Sequence, residues 1–328
     1  MKARSADPYG SAATAGSEAA PRAYGGGGSG ARPAGREWVD VTEQITLDAV
    51  EEAEALATAA AERLDIRMRE LVTVAEQHAA AELLCRIWRA DSPDQLINSG
   101  MMRALEHSGN YVVGAYRDDV LIGTAVGFFG VGHLHSHIAG VDPARQSRGV
   151  GFALKQHQRA WALARGVGEV CWTFDPLVRR NAHVNLHKLG ATAAAYLPDF
   201  YGEMNDGINT GEATDRIYVR WDLLSPAACA AARGETAEVE LWVQAAAGEL
   251  LGRTAEDAPR VPDQPPPPDG RPLLVAVPAD VEALRRRDRD TARAWRYAVR
   301  EAICAALEAG YRITGITRDG RYVLEVRS

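Results

Sequence analysis

The chain has 328 residues, of which 46% are hydrophobic and 25% are charged, and its formal net charge is −7. This composition can bury a large core, and the acidic balance argues against a nucleic-acid partner. No apolar run approaches the roughly 20 residues of a membrane span, and the N-terminus lacks a secretory signal, so we expect a cytoplasmic protein without a membrane partner. The four cysteines are scattered, and their spacing predicts buried thiols rather than a metal or redox site.

Two segments of different character come first. Residues 1–36 are rich in glycine, alanine and serine, and they predict a disordered tail because they cannot bury enough apolar surface. Residues 37–66 include the alanine- and glutamate-rich stretch Leu47–Leu64, which predicts a helix. The apolar patterns that follow predict a strand, two helices and a hairpin, over residues 69–75, 76–89, 101–107 and 111–129.

The most informative stretch is a glycine-containing loop. An apolar run ending at Val141 leads into Arg145-Gln146-Ser147-Arg148-Gly149-Val150-Gly151, and a helical stretch over 152–165 follows. Glycines let the main chain approach a ligand, and the free amides of a helix N-terminus suit a phosphate or pyrophosphate. A dinucleotide fingerprint requires a different glycine spacing. A strand over 170–174 and a helix opening at Asn181 and closing at Gly190 come next.

The Gln146 to Gly151 loop, with this strand and helix, resembles the signature of the GNAT acyltransferases over about residues 67–222. The resemblance implies an α/β (α+β) fold with a mixed, mostly antiparallel central sheet flanked by helices. It also implies an N-acyltransferase that uses acetyl-CoA or another acyl-CoA as co-substrate and needs no metal. By the same resemblance, loop amides hold the CoA pyrophosphate, while strand residues and an asparagine contact the pantetheine arm. The residues so assigned are Ala139, Val141, Gln146, Ser147, Arg148, Gly149, Val150, Gly151 and Asn181.

Histidines supply the expected general base. His133, His135 and His137 alternate along a strand and therefore share one face. An imidazole pKa of about 6.5 suits proton transfer near neutrality. Because His135 lies fourteen residues before Gly149, where some GNAT branches carry a catalytic glutamate, we expect His135 and His137 to be catalytic, with His135 as the base. The alternative is that these histidines only line the pocket.

The general acid is less clearly marked. Many GNAT proteins carry a tyrosine four residues before the glycine that ends the helix, and this chain has Leu186 there. We therefore expect Tyr201 to be catalytic, with Tyr196 or water as alternatives. Charged and polar residues after the strands are candidates for the acceptor pocket and suit an amino acid or related small amine. They are Asp175, Arg179, Arg180, Asn185, Asp199 and Glu203.

Beyond residue 224 we expect a helix and proline-rich linker over 225–272, with the helix at 239–251, and a small β-α-β-β domain over 273–328 docked on the GNAT domain of residues 67–224. Arg289, Arg293, Arg296 and Arg300 share one helix face, which predicts a solvated surface or a basic rim for an anionic ligand. With His135-Ser136-His137, the C-terminal pattern resembles a branch of predicted GNAT proteins, some of which are thought to acylate amino acids, including by N-succinylation. A homodimer is compatible with the sequence. The competing function is a non-catalytic acyl-CoA-binding or interaction module.

Overall fold

Two sheets organise the part of the chain that the computed structural model describes, which is residues 45–145, 149–202, 213–236, 246–267 and 269–326. All of these residues belong to one compact unit, Asp40–Ser328. The tail expected over residues 1–36 lies outside the described residues. In the described ranges, no helix is both long and apolar enough to cross a membrane.

The first sheet has seven strands. In chain order they are β1 (Arg67–Glu70), β2 (Tyr111–Arg117), β3 (Val120–Phe129), β4 (Leu134–Val141), β5 (Glu169–Phe174), β6 (Thr192–Leu197) and β7 (Arg216–Asp222). Their order in the sheet is β1-β2-β3-β4-β5-β7-β6, and every neighbouring pair is antiparallel except β4 and β5. The expected mixed, mostly antiparallel sheet is therefore confirmed.

Helices cover both faces of this sheet. They are α1 (Leu47–Glu62), α2 (Val74–Trp88), α3 (Ser99–His107), α4 (Val150–Leu163), α5 (Arg179–Ala182), which continues as a π-helical turn, His183–Lys188, and α6 (Pro226–Ala232). Helices α1 and α4 pack on one face of the sheet and contribute to the larger hydrophobic core. Helices α2 and α3 pack on the other face and contribute to a second core. A capping box between Thr73 and Glu76 starts α2, because it satisfies amides that would otherwise lack partners.

The second sheet is larger than the sequence predicts. Its strands are β8 (Gly248–Arg253), β9 (Pro259–Arg260), β10 (Leu273–Ala276), β11 (Tyr311–Ile316) and β12 (Arg321–Val326), in the order β11-β12-β10-β8-β9. The segment expected to be a linker thus contributes two strands. The helix expected over 239–251 is strand at Gly248–Leu251, because a short apolar run such as Leu250-Leu251 fits either structure and Leu251 is buried opposite Val275 of β10. The rest of that helix lies largely outside the described residues.

The β-α-β-β unit expected over 273–328 contains a single helix, and the structure has two. They are α7 (Val281–Arg287) and α8 (Arg289–Glu308). Asp288 separates them in an extended conformation, and its side chain accepts a hydrogen bond from the Thr291 amide at 3.0 Å as the N-cap of α8. Aspartate is among the residues that cap helices best, so this position starts a new helix rather than continuing the old one.

Arginines of α7 and α8 bind carboxylates at the edge of the first sheet. Arg296 donates two hydrogen bonds of 2.8 Å to Asp175, and Arg285 donates one of 2.9 Å. Arg300 binds both oxygens of Asp215. Half of the arginine face predicted on α8 is therefore neither a solvated surface nor a ligand rim, because its charges are paired across the contact between the two sheets. Arg289 and Arg293 remain exposed.

Candidate active site

A wedge opens in the first sheet between β4 and β5. The two strands pair at only two positions, Leu134 with Val170 and His135 with Cys171. Beyond this apex the strands separate, so that residues 136–141 of β4 and 172–174 of β5 bound an opening in the sheet. A bulge in the β3–β4 ladder, where Gly127 pairs with Ser136 and Val126 with Ile138, leaves His137 as the extra residue.

The backbone of β4 presents hydrogen-bonding groups to the wedge. The Asp142 amide donates to Ile122 of β3 at 2.9 Å. In an antiparallel ladder, successive residues direct their main-chain groups alternately toward and away from the partner strand. The main-chain groups of Ala139 and Val141 are therefore directed away from β3 and toward β5. This is the orientation that contact with an extended ligand arm requires.

The N-terminus of α4 lies at the same end of the sheet as the mouth of the wedge. Gly149 is its N-cap, with a φ of +90°, and no side chain of the described residues caps the helix. Val150 is buried, whereas Gly149 and Gly151 are exposed, and a Cβ on Gly151 would meet only Val141, at 3.9 Å. The first turn has no acidic residue. Uncapped amides and the helix dipole favour an anion here. Gln146, Ser147 and Arg148 lie outside the described residues.

Asn181 does not cap a helix. The N-cap of α5 is Val178, and Asn181 is the third helical residue, with an exposed side chain. The helix opens two residues earlier than expected because Arg179 and Arg180 already take helical positions. The proposed contact between Asn181 and the cofactor arm remains a prediction.

His135 and His137 share the sheet face opposite α4. Leu134 and Ser136 point toward α4, so His135 points to the other side, where its ring lies 4.9 Å from that of Phe128 and 6.2 Å from that of His137 (centroid distances). Cys171 lies beside His135 across the strand pair, and Thr173 and Tyr218 continue the surface. We call this set the histidine face: Phe128, His135, His137, Cys171, Thr173 and Tyr218.

Electrostatics keep these imidazoles neutral. Burial, and to a smaller degree the neighbouring charges of His137, His133 and Lys155, lowers the pKa of His135 to about 4. Desolvation lowers the pKa of His137 as well. A neutral imidazole has a free lone pair and is ready to accept a proton directly or through a water. His133 lies before β4, and its Nδ1 is 3.0 Å from the Val131 carbonyl oxygen, so it does not continue the strand pattern.

Tyr201 reaches the edge of the histidine face. Its hydroxyl lies 3.3 Å from Thr173 Oγ1, and the residue is 42% exposed. Tyr196, the alternative, donates a 2.7 Å hydrogen bond to Asp215, and burial together with this carboxylate raises its pKa far above the ordinary value. Tyr196 is therefore a structural residue and unsuited to proton donation.

Comparison with known proteins identifies the fold that carries this wedge. Residues 78–191 match the family model described as the acetyltransferase (GNAT) family. The matched residues make up about a third of the chain. Members of this family use an acyl-CoA donor. No curated protein shows significant similarity to the chain.

Solved structures of GNAT proteins resemble about half of the chain. The ribosomal-protein-S18-alanine N-acetyltransferase from Escherichia coli is 15% identical, with a TM-score of 0.39, 47% of this chain covered and 92% of that one. A putative acetyltransferase from Salmonella typhimurium, solved with acetyl-CoA, is 20% identical, with a TM-score of 0.41 and coverages of 50% and 96%. The aminoglycoside 6'-acetyltransferase type Ii is 17% identical, with a TM-score of 0.40 and coverages of 49% and 97%.

Most residues expected in the acceptor pocket have structural partners elsewhere. Asp175 is buried against Arg285 and Arg296, and Arg180 binds Glu282 of α7 at 2.7 Å. Arg179 packs against Gly320, and Asp199 accepts from the Thr214 amide in its own loop. These residues follow strand ends, as expected, but the second sheet and its helices cover that end. Asn185 is buried and Glu203 lies outside the described residues.

Lys155 lies beside the wedge, and the sequence analysis did not single it out. It lies on the second turn of α4, and its Nζ donates to Ser136 Oγ at 2.8 Å and to Gln158 Oε1 at 3.0 Å. The same ammonium lies 3.8 Å from the ring centre of Trp172. Burial lowers its pKa to about 7. The sequence feature that could have pointed to Lys155 is the rarity of lysine, which occurs only at positions 2, 155 and 188.

A group of three potential metal ligands lies next to the histidine face. One ligand atom each from His133, Glu169 and Cys171 falls within 4.8 Å of the others. Glu169 also accepts a 2.7 Å hydrogen bond from Arg220, and burial raises the pKa of the Cys171 thiol to about 12. A thiolate is the form that ligates zinc, and a paired carboxylate would have to exchange its arginine for the ion. The donor set is therefore poorly prepared for a metal.

Proposed function

We propose that this GNAT protein transfers an acetyl or succinyl group from acyl-CoA to the amine of a small molecule, an amino acid or a related amine. The amine attacks the thioester directly in a ternary complex. The observation that carries the proposal is the wedge, because it connects an anion-binding helix N-terminus on one side of the sheet with a pair of neutral histidines on the other.

The donor is expected to follow the wedge. Backbone amides at the start of α4 suit its pyrophosphate, and the main-chain groups of Ala139 and Val141 suit the amides of its pantetheine arm. Among the described residues, a Cβ on Gly149 would meet only Leu64, at 3.5 Å, so the described surroundings of Gly149 leave space for a ligand. The thioester would then lie near the apex, beside His135.

The acceptor is expected on the histidine face. An amine must lose a proton as it forms an amide, and His135 is neutral and positioned to take that proton directly or through a water. His137 lies beside it at the bulge. General-base catalysis typically accelerates a reaction by about 10²–10⁴-fold, which sets the loss expected for His135→Ala.

The deciding experiment measures thiol release from acetyl-CoA and succinyl-CoA against L- and D-amino acids, polyamines and aminoglycosides. We expect release that depends on one class of amine and is abolished in Gly149→Trp, whose side chain would crowd the phosphate end of the wedge. CoA binding by calorimetry should be lost in the same variant.

Two outcomes would change the assignment. Tight CoA binding without release for any amine would favour the non-catalytic binding module, a reading that Leu186 supports because it packs against the core and has no proton to donate. Unchanged turnover in both His135→Ala and His137→Ala would show that neither histidine is the base.

A further inference from the structure

Lys155 is an ammonium in a site of neutral groups. Its partners are a hydroxyl, an amide oxygen and an indole ring, from Ser136, Gln158 and Trp172. Within the ranges that the structure describes, no carboxylate forms an ion pair with it. Desolvating a charge without an opposite charge is costly, and such groups concentrate at functional sites.

The contacts place Lys155 at the apex of the wedge. His135 and Cys171 are the last paired residues of β4 and β5. The next residue on each strand, Ser136 and Trp172, contacts the ammonium. Lys155 therefore touches both strands at the point where they begin to separate, on the face covered by α4.

The apex is where the reactive end of the donor is expected. From Val141 at the mouth to Ser136 is five residues of strand, or about 16 Å. An extended CoA arm spans such a distance from a pyrophosphate at the start of α4. The histidine face then lies on one side of the thioester and Lys155 on the other, close enough for its charge to lower the pKa of His135.

We propose that Lys155 is the general acid of the acyl transfer and donates a proton to the CoA sulfur as the carbon–sulfur bond breaks. This inference rests on the proposed function. The amine nitrogen forms a bond to the acyl carbon, the carbon–sulfur electron pair passes to sulfur, and the Lys155 proton converts the thiolate to a thiol. The proton that leaves the amine passes to His135 or water, and Lys155 regains a proton from solvent, so the exchange balances.

Other described side chains near the apex are less suited to this role. Tyr218 lies on the histidine face, and burial raises its pKa well above the ordinary value. Leu186 has no proton to donate. With a pKa of about 7, Lys155 is populated in both protonation states near neutrality, as an acid that donates and recovers a proton in each turnover requires.

The kinetic test compares Lys155→Met, Lys155→Arg and Lys188→Met. We expect kcat for acetyl-CoA to fall by about 100-fold or more in both Lys155 variants, with little change in CoA affinity, because arginine keeps the charge but does not release its proton. Lys188 is exposed, and its variant should behave as wild type. Acetyl-seleno-CoA, whose selenolate leaves without protonation, should restore most of the lost rate. An equal defect with both donors would overturn the proposal.

A second test does not depend on turnover. In protein labelled with ¹³C at lysine Cε, three side-chain signals are expected, and Lys188→Met helps assign them. Saturating CoA should shift the titration of Lys155 relative to saturating desulfo-CoA, because a thiol within reach of the Lys155 amine exchanges a proton with it and the two groups titrate as a coupled pair. Identical titrations with the two ligands would refute the inference. If wild type binds CoA but transfers no acyl group, the proposed function fails, while this titration still decides where Lys155 lies relative to the sulfur.

Discussion

Replacing Asp175 by asparagine tests the contact that joins the two sheets. The carboxylate is only 8% exposed and accepts hydrogen bonds from Arg296, Arg285 and the Leu177 amide. Asparagine keeps the size of the side chain but removes the charge, so the Arg296 guanidinium, which is 2% exposed, loses the counter-charge that it binds through two hydrogen bonds, and Arg285 loses one of its partners.

The expected cost follows from burial. Removing one partner of a buried ion pair typically destabilises a protein by about 3–5 kcal/mol, because the remaining charge is desolvated and unpaired. Burial alone would raise the pKa of Asp175, but Arg296 and then Arg285 hold it well below the ordinary range. A depressed pKa means that the stabilisation is present above the unfolded-state pKa of about 3.9 and is lost as the pH falls below it. The difference between wild type and variant should therefore be constant above about pH 5 and shrink below pH 4.

Urea unfolding followed by tryptophan fluorescence measures the loss. Arg180→Met is the matched control, because it breaks an ion pair with Glu282 across the same contact, but one whose side chains are 57% and 31% exposed. Such a pair contributes about 0–1 kcal/mol. A loss in Asp175→Asn no larger than that of the control would show that the buried cluster does not hold the sheets together.

Three further results are expected. In an NMR titration the His135 imidazole should have its midpoint near pH 4, because burial and neighbouring charges disfavour its protonation; a midpoint near 6.5 would contradict its desolvation. Gly149→Ala should cost about 1 kcal/mol, because its φ is +90°, and should weaken CoA binding in calorimetry, whereas Gly109→Ala, with φ +76° and open surroundings, should cost the same and leave CoA binding unchanged. Tyr201→Phe should lower kcat by less than about tenfold, and a loss above 100-fold would make Tyr201 the acid in place of Lys155.

Local patterns made the first sheet predictable. The expected elements from the helix over 76–89 to the helix before residue 190 lie within about two residues of those observed, because apolar periodicity and capping residues act over a few positions. The first strand, expected over 69–75, ends five residues earlier, at Glu70. The second sheet depends on distant pairing. Leu273 of β10 pairs in parallel with Gly248 of β8, and nothing near Leu250 in sequence distinguishes that strand from a helix.

The candidate site, like the fold, is predictable only where it depends on neighbouring residues in the sequence. The loop at Gly149 and the histidine pair lie within one consecutive strand, turn and helix. Their spacing in the sequence was therefore enough to predict that they belong to one site. The bulge at His137 depends on how β4 pairs with β3, and the sequence of β4 alone does not predict that pairing. Lys155 lies on a helix whose other residues are mostly buried in the core. Its environment is formed by Ser136 and Trp172, which come from two different strands, so the helix sequence alone does not predict it.

The use of basic residues follows from these environments. The chain has 34 arginines and three lysines. Where the structure needs a permanent charge, as at Asp175 and Asp215, it uses arginine, whose planar guanidinium binds a carboxylate through two hydrogen bonds and keeps its proton. A lysine differs because burial shifts its pKa into the neutral range. Of the two lysines in the ranges that the structure describes, the desolvated one thus lies at the apex of the wedge, where a transferable proton is useful and a permanent charge is not.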